Sequence, residues 1–243
     1  MKANLYEYLA GNEYPGRGIC IGKTPSGSKT MIAYFIMGRS VNSRNRVFDP
    51  IEGGIRTMAA DPSKMTDPHL IIYNPVLTLD NTTIVTNGDQ TNTIYDFMSR
   101  NDFPGFGFEA ALNTRTFEDD KPNWTPRISG VVDIRKGGYK LSILKSDDGD
   151  EKSVQRFTFD YSQPLAGVGH FISTYKCNGT PIPSFAGEPL SVAMDEEDPD
   201  QYAAKLWKAL NEDNKVSLFV CAIDLTTQTY KDVIINKYKT VEE

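Results

Sequence analysis

The feature of this sequence that most restricts its fold is a series of short apolar segments, each bounded by Gly, Pro, Asn or Asp. Segments of this length that are rich in β-branched and aromatic residues are typical of strands rather than helices. In the first part of the chain they lie at 17–23, 30–37, 70–79 and 82–86. Thr24-Pro25-Ser26-Gly27-Ser28 joins the first two, and its turn residues predict an antiparallel hairpin.

A second group of strand-like segments lies further along the chain, at 127–134, 139–144, 155–161, 167–175, 216–225 and 229–235. The turn residues between them predict antiparallel meanders and a closing hairpin. Apolar residues at helical spacing predict three helices instead, at 91–100, 106–114 and 201–210. Asp89 is expected to cap the first helix, and acidic residues precede the last one, where the helix dipole favours them.

The order of these elements predicts the fold class. Strands, helices, strands, one helix and strands fit an α+β layered sandwich, in which two antiparallel sheets pack face to face with helices outside. The 243 residues suffice for one large domain or two small ones, and no linker, repeat or low-complexity tract divides them. We therefore predict a single domain over residues 1–243.

Composition and charge exclude several classes of protein. The formal net charge of -6 argues against a general nucleic-acid binder, which needs a basic surface. There is no apolar run of about 18 residues and no signal-peptide pattern, so we expect a cytoplasmic protein without membrane segments. Cys20, Cys177 and Cys221 are widely spaced and only His69 and His170 offer imidazole, so no metal site is expected. Cys20 and Cys221 lie in apolar segments, which indicates buried thiols.

An arginine-rich segment, Gly38 to Arg46, directly follows an apolar strand segment and contains Arg39, Arg44 and Arg46. Guanidinium groups at the end of a strand suit a phosphate group, because they offer paired N–H donors. The alternative is a solvated basic loop. Phosphate affinity alone does not identify a reaction.

Three further segments carry polar side chains with two interpretations each. Tyr73 and Asn74 end an apolar segment and point either into a cleft or into the core. The 86–91 segment offers amide and hydroxyl groups near a helix start, which suits either an anion or amide cradle or a simple turn and cap. Glu118, near Arg127 along the chain, is either a general base or an ion-pair partner.

Taken together and in order, these motifs resemble the archaeal-type IMP cyclohydrolase family. The resemblance covers about the first three quarters of the chain. It is carried by 18–34, Arg39-Ser40 with Arg44, Ile72-Tyr73-Asn74, Thr86-Asn87-Gly88 with Thr91-Asn92-Thr93-Ile94, Thr125-Pro126-Arg127-Ile128 and Ile172-Ser173-Thr174-Tyr175. The chain departs from the family pattern in a segment before Arg17, in extra residues between Glu118 and Thr125, and in a longer stretch around 187–200.

The resemblance implies a fold and a reaction. The fold is a four-layered αββα sandwich similar to that of N-terminal nucleophile hydrolases, and the reaction closes the ring of 5-formamidoimidazole-4-carboxamide ribotide to give IMP and water. It implies a small-molecule purine ribotide as substrate, no cofactor, and a homo-oligomeric assembly. Met1-Lys2 supplies no terminal nucleophile, so the likeness to those hydrolases is architectural.

The resemblance also implies site residues. The catalytic candidates are Arg44, Tyr73 and Glu118, with Asp119 as the alternative carboxylate. The candidate substrate-binding residues are Arg39, Asn74, Asn87, Thr91 and Arg127. Two other functions stay open: a purine-nucleotide-binding protein that has lost catalysis, and an amide hydrolase of the N-terminal nucleophile class.

Overall fold

The computed structural model describes residues 2–66, 68, 71–100 and 107–240. The strands, in chain order, are β1 (Arg17–Lys23), β2 (Lys29–Met37), β3 (Arg46–Ile51), β4 (Gly54–Ala59), β5 (Val76–Leu79), β6 (Thr82–Thr86), β7 (Arg127–Asp133), β8 (Tyr139–Ser146), β9 (Val154–Tyr161), β10 (Val168–Ser173), β11 (Leu190–Ala193), β12 (Lys215–Asp224) and β13 (Tyr230–Asn236). The α-helices are α1 (Leu5–Ala10), α2 (Val41–Arg44), α3 (Gln90–Ser99), α4 (Gly107–Asn113) and α5 (Pro199–Ala209). A short 3-10 helix spans Pro62–Lys64.

The strands form two antiparallel sheets. The six-stranded sheet has the order β11-β10-β1-β2-β12-β13, and the seven-stranded sheet has the order β3-β4-β5-β6-β7-β8-β9. The predicted hairpin is confirmed, because β1 and β2 pair from Arg17 with Ile36 to Lys23 with Thr30. The second sheet is a meander, since each of its strands pairs with the next one along the chain.

Three apolar clusters define the layers. The largest lies between the sheets and includes Ile19 and Ile21 of β1 together with Ile128 of β7. A second cluster packs α1 and α5 against the outer face of the six-stranded sheet. A third packs α3 and α4 against the outer face of the seven-stranded sheet. The predicted α+β sandwich with helices outside two antiparallel sheets is therefore confirmed.

The predicted strand at 70–79 is wrong over most of its length. Only Val76–Leu79 forms a strand, Leu70 lies outside the described residues, and a turn brings the amides of Ile71 and Ile72 onto the carbonyl oxygen of Pro68. Pro75 has no N–H to donate to a ladder, so it marks the boundary between this loop and β5. The apolar content of the loop reflects burial of Ile71 and Tyr73 rather than sheet pairing.

The sequence did not predict β3 and β4, because Pro50 and Gly53-Gly54 interrupt their pattern. Pro50 is tolerated because β3 is an edge strand of its sheet. At Gly54 the carbonyl oxygen of Val76 lies 2.0 Å from where a Cβ would stand, so only glycine allows β5 to approach there. Helix α1 was also missed, although Asn4 caps it by accepting the amides of Tyr6 and Glu7.

The predicted helices are confirmed with small shifts in their ends, although Phe106 lies outside the described residues. Asp89 stands at the N-cap position of α3, but the expected capping by its side chain is wrong, since that side chain makes no cap hydrogen bond. Its carboxylate pairs with Arg115 and Arg127 instead. None of the described helices has the length and apolar character needed to cross a membrane.

The predicted burial of the Cys20 and Cys221 thiols is confirmed. Cys20 and Cys221 are buried and Cys177 is exposed, and all three are free thiols. Burial raises the pKa of the Cys20 thiol to about 12, so this group stays protonated at neutral pH. His69 lies outside the described residues.

Candidate active site

The space between the two sheets becomes polar at one end, where β1 begins. Alternate residues of a strand share a face, so Arg17 projects into the same space as the core residues Ile19 and Ile21. Tyr34 of β2 pairs with Ile19 in the adjacent strand and is fully buried. An arginine and a tyrosine of the six-stranded sheet therefore face the seven-stranded sheet at this end.

Tyr73 reaches the same place from the loop before β5. Its hydroxyl shares a hydrogen bond of 2.7 Å with the hydroxyl of Tyr34. Thr57 of β4 fixes its backbone: the Tyr73 amide donates to the Thr57 Oγ1 at 2.8 Å, and the Thr57 amide donates to the Tyr73 carbonyl oxygen at 2.9 Å. These two hydrogen bonds tie Tyr73 to β4 although its segment is a loop.

Glu118 supplies a buried carboxylate to this end of the sandwich. It is 3% exposed, and its Oε2 lies 3.6 Å from the Nη2 of Arg17. Burial raises the pKa of the Glu118 carboxyl, while the guanidinium groups of Arg17 and Arg127 oppose that rise. The net upward shift suits a group that exchanges protons nearer to neutral pH than an exposed glutamate does.

The loop that carries Glu118 is anchored by Thr125. The Glu118 amide donates to the Thr125 carbonyl oxygen at 2.9 Å. Asp120 accepts the amide of Thr125 at 2.6 Å and also its hydroxyl, and the same hydroxyl shares a hydrogen bond with that of Tyr175. These contacts join the loop to the end of β10, so the position of the carboxylate depends on both sheets.

Arg46, the first residue of β3, brings a second buried guanidinium to the cluster. It is 1% exposed, and its Nε and Nη2 donate to the carbonyl oxygens of Ser43 at 2.8 Å and Met37 at 3.2 Å. Burial lowers its pKa, and the neighbouring hydroxyls of Tyr73 and Tyr34 act in the opposite direction. Among the described residues, the Nη1 of Arg46 and the Nε of Arg17 have no hydrogen-bond partner.

The predicted catalytic residues fall into two groups. Tyr73 and Glu118 both contribute to the buried cluster around Arg17. Arg44 instead directs its Nε to the carbonyl oxygen of Gly38 at 2.9 Å and its Nη2 to the Oδ1 of Asn214 at 3.2 Å. In the arginine-rich segment, the side chain that lies between the sheets is therefore that of Arg46 rather than that of Arg44.

Arg39, a predicted substrate-binding residue, is exposed near the same end of the molecule. Its Nη1 donates to the Asn178 Oδ1 at 2.5 Å and to the Gly179 carbonyl oxygen at 3.0 Å, and its guanidinium lies 5.0 Å from the centre of the Tyr14 ring. Tyr14 in turn stacks on Tyr175. Arg39 is thus connected through two rings to the residues that anchor the Glu118 loop.

The other predicted binding residues lie around the start of α3. Arg127 pairs with Asp89 at 2.7 Å and donates to the Gln90 Oε1 at 2.7 Å. Thr91 is buried and shares a hydrogen bond of 2.6 Å with Thr86. Asn74 is half-buried, and its amide donates to the side-chain oxygen of Asn92 at 3.3 Å.

Asn87 is fully buried and uses both ends of its amide within the protein. Its Nδ2 donates to the Pro126 carbonyl oxygen at 2.9 Å, and its Oδ1 accepts from the Ile128 amide and the Gln90 side chain, both at 2.9 Å. The turn after β6 is thereby fastened to β7. A substrate contact of Asn87 would have to replace one of these bonds.

The Asn87→Ala variant is expected to lose about 2–4 kcal/mol of unfolding free energy, because it leaves buried donors and acceptors unpaired. Chemical denaturation measures this loss. The matched control is Asn92→Ala on the exposed side of α3, for which a change within about 0.5 kcal/mol is expected. An Asn87→Ala protein as stable as the wild type would contradict the structural role.

Sequence reasoning missed Arg17, Tyr34 and Arg46 as site residues. A usable signal existed for the first two, since a charged residue and a tyrosine hydroxyl stand on the face of β1 and β2 that is otherwise apolar. For Arg46 no such signal existed, because β3 itself was not predicted. Its placement depends on where that strand begins.

The assembled groups form a chemically coherent set. A buried carboxylate with a raised pKa can accept a proton, a hydrogen-bonded pair of tyrosine hydroxyls can donate one, and free guanidinium N–H groups can stabilise an oxygen that gains negative charge. The side chains that carry these three functions are buried close together between the sheets. This arrangement suits proton transfer at a carbonyl or amide group.

Comparisons with known proteins agree with this chemistry. Residues 14–228 match the profile of the family described as IMP cyclohydrolase-like protein. The IMP cyclohydrolase of Methanococcus aeolicus is 26% identical over 189 residues, covering 77% of this chain and 84% of the relative. That of Methanopyrus kandleri is 26% identical over 186 residues (76% and 84%), and that of Methanosphaera stadtmanae is 27% identical over 166 residues (68% and 75%). The chain belongs to the IMP cyclohydrolase-like protein family.

Proposed function

We propose that this protein is an IMP cyclohydrolase, which closes the six-membered ring of 5-formamidoimidazole-4-carboxamide ribotide to give IMP and water in purine biosynthesis. The family match and the three named relatives support this assignment. The structural observation that carries it is the meeting of Glu118, Tyr73 and two incompletely paired guanidinium groups between the sheets.

The reaction sets clear demands on the protein. The carboxamide nitrogen forms a bond to the formyl carbon and loses a proton, while the π electrons of the formyl C=O move to its oxygen, which takes up a proton. The carbinol oxygen then leaves as water together with the proton of the former formamide nitrogen, and a C=N bond forms. Because an amide nitrogen is a weak nucleophile, the site must orient it, accept its proton and stabilise the formyl oxygen.

The residues of the cluster match these demands. Glu118 accepts the amide proton, and the upward shift of its pKa, caused by burial, makes it a stronger base than an exposed glutamate. Tyr73 donates the proton that the formyl oxygen takes up, with Tyr34 as its hydrogen-bond partner. Arg17 lies beside the Glu118 carboxylate and orients it.

The remaining predicted residues keep more peripheral roles in this proposal. Arg39 and Arg127 contact the phosphate or the base, and Asn74, Asn87 and Thr91 recognise amide groups of the substrate. The catalytic role of Arg44 stays a prediction, and it requires Arg44 to exchange its bonds to Gly38 and Asn214 for the substrate. We further propose one catalytic domain over residues 1–243, a homo-oligomeric assembly, a cytoplasmic location and no nucleic-acid partner, the last supported by the net charge of -6.

A direct assay tests the function. Purified protein at micromolar concentration is mixed with the formamido ribotide, and IMP formation is followed by absorbance and by chromatography of the product. We expect enzyme-dependent conversion with IMP and water as the products. If the protein binds IMP but forms none from the formamido ribotide, it is a binding protein on the same scaffold, and the proposal fails.

A further inference from the structure

Arg46 is unusual because its buried guanidinium forms no salt bridge with a carboxylate of the described residues. The guanidinium is 1% exposed and uses two of its nitrogens on backbone carbonyl oxygens, while the third has no partner among the described residues. The carboxylate of the cluster, Glu118, lies beside Arg17 instead. Burial of a charge is costly unless another group compensates it. The free Nη1 therefore points to an anionic partner that comes with a ligand.

We propose that Arg46 is a further catalytic residue, whose Nη1–H binds the formyl oxygen as ring closure places negative charge on it. This inference rests on the proposed function. It concerns a residue two positions from Arg44, the arginine that the family resemblance gives as a catalytic candidate.

The surroundings of Arg46 favour the reacting oxygen over the phosphate group. Arg46 and Phe48 lie on the same face of β3, and Phe48 stacks on Tyr34 with ring centres 5.6 Å apart. Tyr34 in turn shares its hydroxyl hydrogen bond with Tyr73, the proposed proton donor. The phosphate of a ribotide is a hydrated dianion and is better matched by the exposed guanidinium of Arg39.

The formyl oxygen carries negative charge only between substrate and product, which suits it to an interaction with Arg46. The formyl oxygen gains charge when the C–N bond forms, then takes a proton and leaves as water, so IMP does not contain it. An interaction with this oxygen is strongest in the transition state and raises kcat without tightening product binding. A contact with the phosphate or with the purine carbonyl oxygen would persist in IMP.

The test compares the effect of replacing Arg46 on kcat with its effect on the affinity for IMP. For Arg46→Met we expect kcat to fall by about 10²–10³-fold, the range for loss of an oxyanion donor. The dissociation constant of IMP, measured by calorimetry, should stay within about threefold of the wild type. Arg56→Met, which removes an exposed arginine paired with Asp49 on the same sheet, is the matched control and should keep wild-type kcat.

Arg46→Lys guards against a folding defect, since Arg46→Met also removes the donors to Ser43 and Met37. Lysine keeps the charge and a donor group but not the planar fork, so we expect kcat to fall by about tenfold with an unchanged IMP affinity and a smaller loss of melting temperature than in Arg46→Met. Wild-type kcat in either variant overturns the inference. So does a loss of IMP affinity as large as the loss of kcat/KM, because Arg46 would then bind a group that the product retains.

The inference and the proposed function fail in different ways. If the wild-type protein forms no IMP from the formamido ribotide, the proposed function is wrong. If the wild type is active and Arg46→Met is equally active and folded, only the role of Arg46 is wrong.

Discussion

Replacement of Glu118 by glutamine is expected to lower kcat by about 10²–10⁴-fold, the range for loss of a general base. Glutamine keeps the size of the side chain and can still accept a hydrogen bond, but it cannot take up the amide proton. Because the reaction requires that proton to leave as the C–N bond forms, the loss should appear in kcat rather than in KM. Steady-state kinetics with the formamido ribotide measure both constants.

The pH dependence gives a second test of Glu118. Burial raises the pKa of its carboxyl, so wild-type kcat/KM should fall as the pH drops through a value above that of an ordinary glutamate. The sign for stability is opposite: a raised folded-state pKa stabilises the fold at low pH, and this contribution is lost as the pH rises through that value. Glu118→Gln should therefore lose the acid limb of activity.

Glu109→Gln is the matched control for this change. Glu109 lies in the first turn of α4 on the outer face of the sheet, where it pairs with Lys140. Its replacement should leave kcat and the pH profile unchanged, since it lies outside the cluster. Equal losses of activity and of stability in Glu118→Gln would show that the carboxylate is structural, and the catalytic role would then fail.

The sequence predicted the layers of this protein better than the edges of its sheets. Strands with an unbroken apolar or alternating pattern, such as β1 and β2, were placed to within a residue because their faces must be buried. By contrast, β3 and β4 contain Pro50 and Gly54, which read as breaks in isolation. The sheet accommodates Pro50 because β3 is an edge strand, and it requires Gly54 because the backbone of β5 approaches closely there. Both are properties of the assembled sheet.

Prediction of the candidate site had the same limit: local segments could be recognised from the sequence, but features that depend on the assembled sheets could not. Tyr73 stands in a segment that resembles a family motif, whereas Glu118 stands next to the extra residues by which the chain departs from the family pattern. The structure brings both side chains into one buried cluster. The choice between Arg44 and Arg46 could not be made from spacing, because it depends on where α2 ends and β3 begins. One strand residue, Arg46, enters the space between the sheets, while the last residue of α2 turns towards Asn214.

The Tyr73→Phe variant is expected to lower kcat by about 10²–10⁴-fold, because it removes the proton donor and leaves the ring in place. Tyr34→Phe removes only the partner hydroxyl, so a smaller loss of about fivefold is expected, the equivalent of one hydrogen bond of about 1 kcal/mol. Burial raises the pKa of the Tyr34 hydroxyl, which keeps it protonated and able to donate to Tyr73.

The double variant decides whether the two hydroxyls act as one unit. If Tyr34 acts through Tyr73, then Tyr34→Phe costs nothing further once Tyr73 is phenylalanine, and the double variant has the kcat of Tyr73→Phe alone. Tyr139→Phe is the control, since Tyr139 is equally buried but bonds to His170 instead. Multiplicative losses in the double variant would instead show two independent hydroxyls, and wild-type kcat in Tyr73→Phe would remove the tyrosine from the mechanism.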